Sequence, residues 1–272
     1  MIGRRAPAPS QTYYIIKTPK IFMKRTNLLL FAAAMMLAGC YPSDVLKKVP
    51  DGEFQKFIAE EYDNNGDHKI TKVEALAVTY MHVGIFYECK NLEGIQYFEN
   101  LEEFSAENPY LQSIDLSKNS KIKKAEFDHM RGLQELKLNP QIEEFIMRYQ
   151  MPDKLEFTST AELKTYINYD SGKLKELGFT EAPKLELLTV DGNQLSELDL
   201  SNFPELKSLS CAYNNLTTLD LSANPKLEMV SLHNNPMLKE VWLKKGQVID
   251  GINVNRDNYY KIDAHVEIKY KD

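Results

Sequence analysis

Residues 185–245 read LELLTVDGNQLSELDLSNFPE (185–205), LKSLSCAYNNLTTLDLSANPK (206–226) and LEMVSLHNNPMLKEVWLKK (227–245). Leu185, Leu206 and Leu227 stand 21 residues apart. The same interval separates Leu188, Leu209 and Val230, then Val190, Cys211 and Leu232, then Asn193, Asn214 and Asn235. Four columns in phase over three units mark a repeat in which each unit is one coil of a solenoid. Leu209 and Cys211 alternate along a short strand and point inward. The asparagine three places on can bond backbone groups of a neighbouring coil where the chain turns. The second half, LTTLDLSANP, repeats the apolar spacing with Leu216, Leu219 and Leu221, so the far side of each coil also feeds the core. One coil cannot bury these side chains, whereas stacked coils share a continuous core.

The pattern extends upstream. LEEFSAENPYLQSIDLSKNSK (101–121) fits with Leu101, Phe104, Ala106, Leu111, Ile114 and Leu116, and Ile122, Leu133, Ile142, Leu163 and Leu174 continue it. Between 139 and 172 the asparagines vanish and RYQMPDKLEFTST (148–160) fits poorly, which leaves the register there open. The two halves, LxxLxCxxN and LTxLDLSxN, resemble the leucine-rich repeat family in the 21-residue form of internalin-like bacterial envelope lipoproteins. The fold class expected is α/β or mainly β: a leucine-rich repeat solenoid over 81–245 with a short helical cap in front and a β cap behind, over 246–272. The resemblance further implies that the concave strand face receives partners.

The ends of a solenoid must be covered, because terminal coils otherwise expose apolar area and unpaired strand edges. In front, over 51–80, Asp51 is placed to cap a helix that carries Phe54, Phe57 and Ile58 on one face, with a second helix after Ile70. Behind, HVEIKYK alternates Val266, Ile268 and Tyr270 with charged residues and reads as a closing strand after the turn-rich stretch 250–258.

Between the two front helices lies DNNGDHKITKVE (63–74), which is similar to EF-hand and dockerin loops. Such a loop sets oxygen ligands at positions 1, 3, 5, 7, 9 and 12 with glycine at 6, here Asp63, Asn65, Asp67, the carbonyl of Lys69, Thr71 and Glu74, with His68 at the glycine position. Positive φ there costs a residue other than glycine roughly 1–2 kcal/mol, and histidine tolerates it better than most. The expectation is weak, structural binding of Ca2+, with Kd on the order of 10⁻⁴–10⁻³ M. Thr71 to Glu74 is also a capping box, which would start the second helix without metal.

The first forty residues differ from the rest. They hold six cations and no acid and end in MKRTNLLLFAAAMMLAGC. From Met23 this is a basic segment, an apolar run of about ten residues that is too short to span a bilayer, and a small-residue ending. LAGC resembles a bacterial lipobox, which implies a signal peptide over 23–39, a lipidated Cys40, a linker over 40–50 and attachment at the outer membrane of the cell envelope. Either face of that membrane fits. Residues 1–22 are expected to precede the true start. The whole chain carries −6, so the part beyond Cys40 carries twice that negative charge, a poor match for nucleic acid or for electrostatic attachment to anionic lipid. Cys89 and Cys211 each occupy a place for a small buried hydrophobe and read as free thiols.

Catalysis finds no support. His68, His82, His129, His233 and His265 show no metal-ligand spacing, no glycine-rich phosphate loop occurs, and the serines recur in DLS columns at 115–117, 199–201 and 220–222. What remains is the concave face. The residues between inward columns include Ile146, Arg148, Ile167, Tyr169 and Leu187, an apolar and aromatic patch of hot-spot composition. Should the register slip, the same side chains would be core. The preferred function is a lipid-anchored protein that binds a protein partner in the envelope or on a host cell. A glycan-binding accessory lipoprotein of a polysaccharide uptake system, or an architectural role, are the alternatives.

Overall fold

The computed structural model describes residues 43–150, 152, 154–250, 252 and 262–272. The expected signal peptide, Met23 and Cys40 lie outside the described residues. Among the described residues two α-helices and fourteen strands are formed: α1 (Gly52–Tyr62), α2 (Lys72–Ala77), β1 (Tyr80–Val83), β2 (Glu103–Ala106), β3 (Ser113–Asp115), β4 (Lys124–Asp128), β5 (Glu135–Leu138), β6 (Glu144–Arg148), β7 (Lys154–Phe157), β8 (Thr165–Tyr169), β9 (Leu187–Thr189), β10 (Ser208–Ser210), β11 (Thr218–Asp220), β12 (Met229–Ser231), β13 (Glu240–Lys244) and β14 (Glu267–Lys271).

The strands make a leucine-rich parallel solenoid. One sheet, in the order β1-β2-β4-β6-β8-β9-β10-β12, takes one strand from each of eight coils. Two shorter sheets, β3-β5-β7 and β11-β13-β14, form the opposite side. The inward columns read from the sequence are the core: Leu188, Leu209 and Val230 are in register on β9, β10 and β12 and are all but fully buried. Each such side chain contributes about 1.5–3 kcal/mol by leaving water.

The stretch whose register the sequence leaves open is in step. Phe145 pairs with Ala125 on one side and Tyr166 on the other, and Leu155 pairs with Leu136. The leucine pattern blurs there because aromatic rings fill the core. Phe104, Phe127, Phe145 and Tyr166 follow one another at 5.8, 6.0 and 5.3 Å between centroids, while Phe157, Phe179 and Phe203 continue the contact towards the far side.

The turns are held by buried asparagines. Asn214 Nδ2 donates to the carbonyls of Val190, Cys211 and Ala212, and Asn235 Nδ2 to those of Cys211 and Leu232. Asn119, Asn139 and Asn224 do the same at a second corner, Asn139 bonding Asn119 O and Ile122 O. These bonds satisfy backbone groups that no ladder reaches.

In front, Asp51 Oδ1 accepts from the amides of Glu53 and Phe54, and Phe54, Phe57 and Ile58 of α1 are buried. The capping box of α2 is present. A 3-10 turn, Val45–Lys48, precedes α1 and is tied down by the Val45 amide on Ile70 O. Behind, the expected closing strand forms as β14, but it pairs with β13 on the side sheet instead of completing the concave one. Ile268 is half-buried and Tyr270 is 49% exposed, so the inward alternation expected of Val266, Ile268 and Tyr270 fails at its last member. Among the described residues β14 is an edge strand of the side sheet. Cys89 and Cys211 are free and buried, and burial pushes the Cys89 thiol up to about 12.

Candidate functional site: the concave sheet

Strand alternation fixes which side chains leave the core. Ile146 pairs with Ile167 and Arg148 with Tyr169, while Leu187 pairs with Thr165 diagonally beside Ile167. All five residues singled out from the sequence therefore share one face, between inward-pointing Phe145, Met147, Tyr166 and Leu188. Ile146 is the exception in exposure: it lies in the outward row between Glu126 and Ile167 yet is only 8% exposed. Ile167, Tyr169 and Leu187 are half-buried.

The face changes character along its length. At the front, Ser105 Oγ bonds His82 Nδ1 at 2.8 Å and Tyr80 Oη at 3.1 Å. Next, Arg148 Nη1 donates to Glu126 Oε1 at 2.5 Å and lies 3.7 Å from Asp128 Oδ2. Desolvation disfavours the guanidinium charge, but the bond from Glu126 and the nearby carboxylates outweigh it. Burial raises the Asp128 carboxyl above the usual range despite His129 and Arg148. On β10 the outward residues Ser208 and Ser210 are small, while Met229 on β12 is 46% exposed.

The two rims of this sheet are built differently. Just before the strands runs a column Glu102, Lys123, Glu143, Lys164, Glu186, Lys207, Glu228, joined coil to coil through backbone bonds. Glu143 is paired with both Lys123 (2.9 Å) and Lys164 (2.6 Å), and Glu186 with Lys207 (2.7 Å). All three lysines of this rim are thus paired with glutamates. Just after the strands runs a column in the left-handed backbone region: His129 (φ 50°), Tyr149 (64°), Asp170 (54°), Gly192 (65°), Tyr213 (55°) and Asn234 (58°). The amides of Tyr149, Asp170, Gly192 and Tyr213 each donate to a carbonyl of the next coil. Glycine meets this demand at little cost and asparagine, aspartate and histidine tolerate it, whereas tyrosine pays for it.

These rim residues were not singled out by the sequence pattern. His129 stacks on Tyr149 at 4.6 Å, Tyr149 meets Tyr169 edge-on at 5.6 Å, and Tyr213 meets His233 at 5.1 Å. Burial and the Tyr149 hydroxyl push the Tyr169 phenol up to about 12. The signal lay in the sequence: each precedes the asparagine column by one. Met130, Gln150 and Ser171 stand in that column and hid it.

The loop 63–74 is closed by side-chain to backbone bonds. Asp63 accepts from the Gly66 and His68 amides, Asn65 from that of Asp67, and Asp67 from that of Lys69. His68 takes positive φ, at 61°. Burial opposes ionisation of Asp63, but the amides of His68 and Gly66 hold its carboxyl below the usual range. Both oxygens of Glu74 serve the α2 cap and the Asn64 amide. Among the described residues no three His, Cys, Asp or Glu side chains are gathered as around a metal ion. The donors are all hard oxygens and suit Ca2+, but Asp63, Asp67 and Glu74 would have to draw closer to hold it. No helix among the described residues is long and apolar enough to cross a membrane.

No known family profile matches the chain, and no curated protein matches it. Solved structures similar to it include an internalin C2 of Listeria monocytogenes, at 17% identity and TM-score 0.44, covering 85% of this chain and 97% of that one. The internalin-like protein lmo2027 of Listeria monocytogenes is similar at 19% and 0.46, with 75% and 64% covered. InlP of the same species is similar at 19% and 0.47, with 75% and 67% covered.

Proposed function

We propose that this chain is a lipid-anchored envelope protein that binds a protein partner on the concave sheet of its solenoid. The observation that carries the reading is the patch itself. Ile167, Leu187 and Tyr169 lie half-exposed on adjacent strands around the covered Ile146, and Arg148 is held beside them by Glu126. A rigid parallel sheet presents these side chains with little ordering cost on binding. Anchoring through Cys40 at the outer membrane rests on the LAGC sequence. The loop 63–74 takes Ca2+ weakly through Asp63, Asn65, Asp67, Lys69, Thr71 and Glu74, and the ion would brace the front cap without taking part in chemistry. We read the protein as a non-enzyme.

The test is affinity capture from envelope and host extracts with the full chain and with Ile167→Asp, whose thermal midpoint should match. A partner retained by the wild type and lost by the variant is the expected result. Retention by both, or capture of glycans alone on an array, would sink it. Labelled palmitate incorporated by the wild type and not by Cys40→Ser checks the anchor.

A further inference from the structure

The strand-end rim has an acidic gap in its middle. Asp170, in the left-handed column, lays its carboxylate over Gly192 in the next coil, where a Cβ would collide with it. Asp191 stands beside them in the outward row, accepting from Ser210 Oγ at 2.7 Å and 2.8 Å and from the Ala212 amide at 2.7 Å. Gly192 and Ala212 put no bulk between the rings that flank this place, Tyr169 one coil before Asp191 and Tyr213 one coil beyond Gly192.

Among the described residues Asp191 is met by the Ser210 hydroxyl, the Ala212 amide and the nearby His233 imidazole, and by no permanent cation. Among the described residues no lysine or arginine pairs with Asp170 or Asp191; Arg148 is taken by Glu126 and Asp128, and the lysines of the opposite rim by their own glutamates. Burial holds the Asp191 carboxyl above the usual range in spite of its hydrogen bonds, so its charge is poorly compensated. Tyr213 stays 57% exposed in a backbone conformation that costs free energy. Strain held at a surface of this kind points to use, and aromatic faces beside carboxylates are the surroundings that a cation prefers.

We infer that this gap seats a lysine or arginine side chain of the partner protein, over Gly192 and between Tyr169 and Tyr213, while the partner's neighbouring apolar residues cover Ile167 and Leu187. The inference rests on the concave face being a protein-binding surface and adds the chemistry of its determinant. Charge complementarity selects this occupant. A neutral sugar would leave both carboxylates uncompensated.

A phage-displayed library of random short peptides, selected on the full chain, tests it. Enriched peptides should carry one lysine or arginine next to apolar residues. Binding of such a peptide should fall about tenfold in Asp170→Asn and in Asp191→Asn, the size of one exposed ion pair together with one ring contact, and should weaken with salt. Asparagine tolerates left-handed backbone and keeps the acceptor, so thermal midpoints should be unchanged. Peptides that are apolar without a cation, lost in Ile167→Asp and indifferent to both asparagine variants, would overturn the inference and leave the concave-face reading standing. No enrichment of any peptide, or binding confined to a glycan array, would overturn both.

Discussion

Asn214 shares the two hydrogens of Nδ2 among three carbonyls and accepts the Leu195 amide on Oδ1, with its side chain buried. Truncation in Asn214→Ala strands the Leu195 amide, while the carbonyls of Val190, Cys211 and Ala212 keep bonds from Asn193, Asn235 and the Gly192 amide, so a loss of about 2 kcal/mol is expected in urea unfolding. The hydroxyl of Tyr166 shows the converse. It is fully buried with no hydrogen-bond partner, and burial raises its pKa. Tyr166→Phe should therefore raise stability by about 1 kcal/mol, the desolvation penalty removed. A fall would show that the oxygen is satisfied after all. Single residues were the most legible level. The asparagine and leucine columns, the Asp51 cap and the two buried thiols could all be read because each answers a local, periodic demand.

Elements were legible where sequence period and packing agree, and less so elsewhere. β1 straddles the boundary expected between front cap and solenoid at 80–81, since Met81 and Val83 alone carry its inward alternation. β6 to β8 were blurred because Phe145, Tyr166 and Phe157 do the work of leucines with different volumes. Tyr149 and Tyr213 escaped notice because side-chain pattern says nothing of backbone handedness. The capping box in the loop 63–74 was legible, and it and the calcium-loop reading predict different responses to metal. If it binds Ca2+ with Kd near 1 mM, ten times that concentration stabilises the fold by about 1.4 kcal/mol. That is about 2–4 °C in thermal midpoint for a protein of this size. The shift should vanish in Asp63→Ala and in chelator, and its absence from the wild type would leave the capping box as the loop's whole role.

At the scale of the whole molecule, a coil touches only its neighbours, so stability is a sum over adjacent pairs. The concave sheet places a rim of paired lysines and glutamates on one side and a strained, acidic and aromatic rim on the other. The first repeats a pattern that only stacking requires, while the second departs from it residue by residue. That contrast decides where a partner is to be sought. The column from Glu102 to Glu228 has one more consequence, because its sign alternates with every coil. Duplicating a single coil brings two lysines or two glutamates face to face, whereas duplicating two adjacent coils keeps each charge beside its opposite. The single duplication should come out less stable per added coil by about 1 kcal/mol, the range of exposed pairs, and added salt should erase the difference. Equal stability at low salt would show the column to be idle. The column thus acts as a parity check on coil number, under which the solenoid lengthens or shortens most easily in steps of two.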